Sequence, residues 1–331
     1  DVDTTAGKIS HLCELQVHLT AIKKSEPMHK SHAVYEFFRS FFLGNAAAVE
    51  KRLDMFCALP VDDVKDADEL VEVVLESDAD ASILDGLCGL LKSIQESAGV
   101  VKVREAILAE RERSFGAESK EAGEALYNLG VAYWHLGNSA KHRDACERAL
   151  PIFEREHGSD HAEVAGLLNC LGNAYSGLGD YAKKRDLLER ALAIEERAYG
   201  RDHVEVSITL GNLGTAYGNL GDHAKDRGAL ERALAIKERA YGRNHPDVAI
   251  TLTNLGNAHG TLGDHAKKRD MLERALAIDE RAYGRDHPEV AQTLTNLGNA
   301  YGALGDTAKQ RDILMRALAI NEREYGSDST Q

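Results

Sequence analysis

Seven asparagines fall on two positions of a recurring pattern: Asn128, Asn212, Asn254 and Asn296 on one, Asn173, Asn257 and Asn299 three residues further along it. Residues three apart share one face of a helix, so these amides are expected to form a ladder. A carboxamide both donates and accepts hydrogen bonds, and a ladder of them can bind the backbone of an extended peptide. The same amides can instead bond neighbouring elements of the protein to one another. A second series, Arg143, Arg185, Arg227, Arg269 and Arg311, is followed by Asp144, Asp186, Asp270 and Asp312, with Arg148, Arg190, Arg274 and Arg316 four residues beyond the aspartates. That spacing predicts i to i+4 pairs of about 0.3 kcal/mol each on a solvated face; the alternative is a clamp for an anion or acidic peptide. His161, His203, His245 and His287 lie too far apart to share a metal and are read as turn and capping residues.

His11, Cys13, His18, His29 and His32 form a mixed group whose spacings match no zinc signature, so no metal site and no cofactor are expected. The chain holds no G-x-S-x-G, H-E-x-x-H or phosphate-loop pattern, so no catalytic residue is assigned and the protein is read as non-enzymatic.

The elements that carry these residues repeat. Gly130, Gly172, Gly214, Gly256 and Gly298 are 42 residues apart. Each unit begins L-x-x-L-G-x-x-Y, as in Leu168, Leu171, Gly172 and Tyr175, with His259 once replacing the aromatic; spacings of three and four predict a helix. Gly179, Gly221, Gly263 or Gly305 stops it, and Asp180, Asp222, Asp264 or Asp306 (Asn138 in the first copy) can cap a second helix. That helix carries Leu188, Ala191, Leu192 and Ile194 and ends at Tyr199-Gly200, Tyr241-Gly242 or Tyr283-Gly284. Pro246 and Pro288 preset the first turn of the next unit. A lone helix pair cannot bury its apolar face, so the period predicts an all-α, right-handed solenoid of helix-turn-helix repeats, its concave groove lined by first helices.

These motifs resemble the tetratricopeptide repeat, and the 42-residue unit with G-x-D-H-P-x-V-A is similar to the long form found in kinesin light chain and nephrocystin-like proteins. The resemblance implies a scaffold fold that carries many binding tasks. There are two departures. The position that is usually small in the second helix holds His142, Lys184, Asp226, Lys268 and Gln310, with Ala182, Ala224, Ala266 and Ala308 two residues earlier, so a slight rotation of that helix is expected. Residues 1 to 80 lack the sustained heptads that precede the kinesin light chain repeats, which removes support for a motor-cargo role.

Three segments are therefore expected: an N-terminal helical segment over 1–80, a degenerate capping repeat over 81–122 framed by Leu84, Leu87, Cys88 and Leu91, and five repeats over 123–331. The first contains Phe37, Phe38, Phe41 and Phe42 at helical spacing, read either as the core of a small bundle or as a partner-docking or membrane-interfacial face. Met315 replaces the glutamate of Glu189, Glu231 and Glu273, which makes the last repeat more apolar and suits it to stacking on another subunit or on a second copy. Residues 61–100 hold eleven acidic side chains and two lysines, so they supply −9 of the net −14. That charge disfavours nucleic acid, and no run is apolar enough to span a membrane. Five scattered cysteines without a C-x-x-C pair fit a reducing intracellular compartment, cytoplasmic or organellar after loss of a targeting segment.

The function expected is a protein-interaction adaptor whose groove holds an extended peptide or a partner subunit. The alternative is a permanent structural subunit of a larger, membrane-associated or homo-oligomeric assembly, docked through its ends.

Overall fold

A computed structural model of the protein describes residues 67–76, 81–93 and 96–325. Among the described residues all regular structure is helical. The helices are α1 (Ala67–Glu76), α2 (Ala81–Ser93), α3 (Ser97–Phe115), α4 (Lys120–His135), α5 (Ser139–His157), α6 (Ala162–Gly177) and α7 (Tyr181–Tyr199). They continue as α8 (Val204–Asn219), α9 (His223–Tyr241), α10 (Pro246–Thr261), α11 (His265–Tyr283), α12 (Pro288–Ala303) and α13 (Thr307–Tyr325). The expected aromatic face of Phe37, Phe38, Phe41 and Phe42 and the His11–His32 group lie outside the described residues.

The chain divides into two compact units between Ile152 and Phe153. In the first, α1 and α2 lie against α3, which packs on α4. In the second, each helix from α6 to α13 packs on the next, and first helices also touch across one repeat, α6 with α8 and α10 with α12. The cores interleave. Val206 and Leu210 of α8 meet Ala229, Ala233 and Ile236 of α9, and Leu192 of α7 packs onto the same cluster. Leu230 of α9 in turn joins Leu255 and Ala258 of α10. Every helix pair thus completes its neighbour's core, as stacked repeats require.

The local signals set the boundaries. Asp180, Asp222 and Asp264 accept from the backbone amides of Lys183, Lys225 and Lys267, which satisfies one free donor at each second-helix start. The imidazole Nδ1 of His161, His203, His245 and His287 does the same for α6, α8, α10 and α12. The last three rings also stack on Tyr199, Tyr241 and Tyr283, at centroid separations of 4.6–5.0 Å. Gly200 closes α7 at φ +89°, a backbone angle that side-chain-bearing residues rarely adopt.

Two expectations are corrected. Asp186 and Asp270 pair with the adjacent Arg185 and Arg269, while the arginine four residues on reaches back one repeat. Arg190 pairs with Glu154, Arg232 with Glu196, Arg274 with Glu238 and Arg316 with Glu280, at 2.5–2.6 Å. Each also donates to the backbone oxygen of Ser159, Arg201, Arg243 or Arg285 in the preceding loop. A carboxylate and a carbonyl together satisfy the guanidinium fork better than one flexible aspartate on the same helix. The second helices, moreover, have not turned Ala182, Ala224, Ala266 and Ala308 inward; all four are exposed. His142, Lys184 and Asp226 are buried instead, and Lys268 and Gln310 half-buried.

Candidate functional site

Room for these inward polar side chains comes from glycine on the facing first helix. A Cβ on Gly218 would lie 2.8 Å from Asp226 Oδ2, and one on Gly260 2.6 Å from Lys268 Cδ. In the α6–α7 repeat the facing residue is Ser176, whose hydroxyl accepts from Lys184 Nζ at 3.1 Å. Burial lowers the Lys184 pKa and likewise that of Lys268.

Asp226 differs. It is 8% exposed, and among the described residues its carboxylate has no hydrogen bond or ion pair. Burial raises its pKa to about 6, against a smaller lowering by the nearby His223. It looks into an open concavity of about 190 Å³ between α8, α9 and α10, bordered by Thr215, Gly218, His223, Asn254 and Asn257.

Two of the seven candidate asparagines, Asn254 and Asn257, therefore converge on one site. Asn254 is exposed and Asn257 half-buried on α10; on α12, Asn296 is half-buried and Asn299 exposed. Asn173 on α6 is half-buried, and Asn128 on α4 is exposed in the first unit. Asn212 points toward the preceding repeat, its Nδ2 3.5 Å from Asn169 Oδ1. Asn169 itself ties three helices together. Its Nδ2 donates to Glu195 at 3.0 Å, to Thr209 at 2.7 Å and to its own helix at Ala165. Burial pushes the Glu195 carboxyl up to about 7, against the lowering by its hydrogen bonds with Thr209 and Asn169. Asn169 and Glu195 carry no repeat-wide pattern: Gly211 and Lys237 stand one period later, so periodicity gave no reason to single them out.

Met315 is 63% exposed on α13, beside exposed Leu318. Where Glu189 and Glu273 stand in earlier repeats, their carboxylates accept from Tyr217 and Tyr301 of the next first helix. For metal chemistry, His157, His161 and Glu163 bring ligand atoms within 4.8 Å of one another. His157 is already paired with Glu163 at 2.9 Å and His161 caps α6. No described helix is long and apolar enough to cross a membrane.

The sequence profile described as tetratricopeptide repeat matches residues 121–183, 163–238, 220–280 and 262–323. Among solved structures, BtubC (BKLC) from P. vanneervenii is similar at 23% identity and TM-score 0.58, covering 70% of this chain and 93% of that one. The nearly identical repeats of a kinesin light chain-type protein from Podosopora anserina match at 22% identity and TM-score 0.54, over 62% of this chain and 97% of that one. PilW, a type IV pilus biogenesis factor, matches at 16% identity and TM-score 0.54, over 76% and 97%. These likenesses establish the fold. No curated protein matches the chain.

Proposed function

The chain belongs to the tetratricopeptide-repeat family, a fold that generally mediates protein–protein contact, and from that premise we propose a non-catalytic adaptor that holds an extended segment of another protein against its first helices. The observation that carries this reading is the convergence of Asn254 and Asn257 on one open concavity. Asn296 and Asn299 extend the series on α12, and side-chain amides can satisfy the unpaired backbone groups of an extended peptide without demanding its sequence. Residues 81–122 would act as a divergent capping repeat in front of the array. Replacing Asn254, Asn257, Asn296 and Asn299 together by alanine is expected to abolish partner capture while helicity by circular dichroism stays unchanged. Capture that survives intact would remove the groove from the mechanism.

One observation favours a second reading, docking as a fixed subunit through α13. Met315 presents an exposed thioether where the α6–α7 and α10–α11 repeats present the carboxylates of Glu189 and Glu273 to a tyrosine. Met315→Glu separates the two, since it would loosen such docking and leave groove binding untouched.

A further inference from the structure

We propose that the concavity between α8, α9 and α10 is a subsite for a primary ammonium group, the side chain of a lysine in the bound segment, with Asp226 as its counter-ion. The inference rests on the groove reading above and names what that groove selects.

The Asp226 side chain is mostly enclosed while its carboxylate borders the open concavity, and an acid held largely out of water without a partner is suited to take up a cation there. Lys184, at the equivalent place one repeat earlier, has its hydroxyl partner in Ser176. Asp226 has glycine there, so its oxygens lie over Gly214 and Gly218, where Cβ atoms would be 3.1 and 2.8 Å away. The rest of the wall is rich in acceptors. Asn254 and Asn257 each offer an amide oxygen, and Thr215 spends its proton on the Gly211 carbonyl at 3.3 Å, which leaves its hydroxyl oxygen free to accept. An ammonium carries three donors and one charge, which suits one carboxylate ringed by neutral oxygens. A calcium ion, which takes six to eight oxygens and usually several carboxylates, is poorly served by a single acid. Among the residues lining the concavity His223 is the other titratable side chain, and its coulombic effect on Asp226 is smaller than that of burial.

The test is an NMR titration of the full chain with n-butylammonium chloride at pH 7.5, following the side-chain amide signals of Asn254 and Asn257, with n-butanol as the uncharged control. Saturable shifts with butylammonium, absent with butanol, are expected. Asp226→Asn should weaken binding at least tenfold. Asn257→Asp, which adds a second acid at a half-buried position, should tighten it several-fold, and this gain does not depend on how well the Asp226 variant folds. Equal shifts from butanol, or binding indifferent to both substitutions, would overturn the inference. The two readings fail separately: partner capture retained by the four-alanine chain strikes the groove, whereas butylammonium binding unmoved by Asp226→Asn strikes the subsite alone.

Discussion

The α6–α7 and α8–α9 repeats are built on the same frame and differ in what they hold inside it. Leu188 and Leu230 press against Gly172 and Gly214 in the same way, and Asp180 and Asp222 cap the second helices alike. Lys183 and Lys225 each lie over a tyrosine ring, at 4.7 and 5.2 Å. Yet one repeat buries a cation with a partner and the other buries an acid without one. Helix packing therefore constrains the apolar and small positions tightly, while one inward position per repeat is left to vary in charge.

The largest expected effect tests the shared frame. Leu188→Ala and Leu230→Ala should each cost about 2–5 kcal/mol in urea unfolding, because both side chains are fully enclosed. Clearly unequal losses would mean that the two frames are not equivalent.

The next tests the difference in charge. Burial pushes the Asp226 carboxyl up to about 6 from its ordinary 3.8, and that of Glu195 up to about 7 from 4.5. Each folded group holds its proton more tightly than the unfolded one. Stability is therefore greatest below the unfolded values and falls as pH rises through 6 and then 7, by at most about 3 kcal/mol per group. Asp226→Asn should raise stability at pH 8 and change little at pH 4. A melting temperature that falls equally with pH in the parent chain and in this variant would show that Asp226 is not the acid responsible.

The smallest concerns the partnered lysine. Ser176→Ala removes the hydroxyl from Lys184 Nζ and should cost about 1–2 kcal/mol. If thermal melting is unchanged, Lys184 is no better satisfied than Asp226, and the contrast between the two repeats disappears.

Much of this architecture was legible in the sequence because helix ends are set locally. A capping side chain and a glycine lie within four residues of the amides and carbonyls they serve, so Asp222, His245 and Gly242 could be assigned from spacing alone. The cross-repeat arginine contacts were less visible. Arg190 and Glu154 are 36 residues apart, beyond the i to i+4 pairs that spacing along one helix predicts. The second helix keeps its frame although its inward position is large, because the facing helix makes the room. The relevant small residues, Gly218, Gly260 and Gly302, sit on the opposing one. In the sequence Asp226 is only a departure from pattern, since what surrounds its carboxylate is a three-dimensional fact that periodicity does not encode.

The junctions in the second unit carry a consequence for how such a chain can change length. Those following α7, α9 and α11 are made from the same parts: a tyrosine stacked on a capping histidine, and an arginine returning to a carboxylate and a loop carbonyl. Excising one whole period, residues 220–261 for example, would bring together two surfaces that already fit, whereas removing a length that is not a whole number of periods would break the match at that joint. Recombination between copies can thus shorten or extend the array by whole units, changing its reach and the number of variable inward positions it displays while leaving each remaining joint as it was.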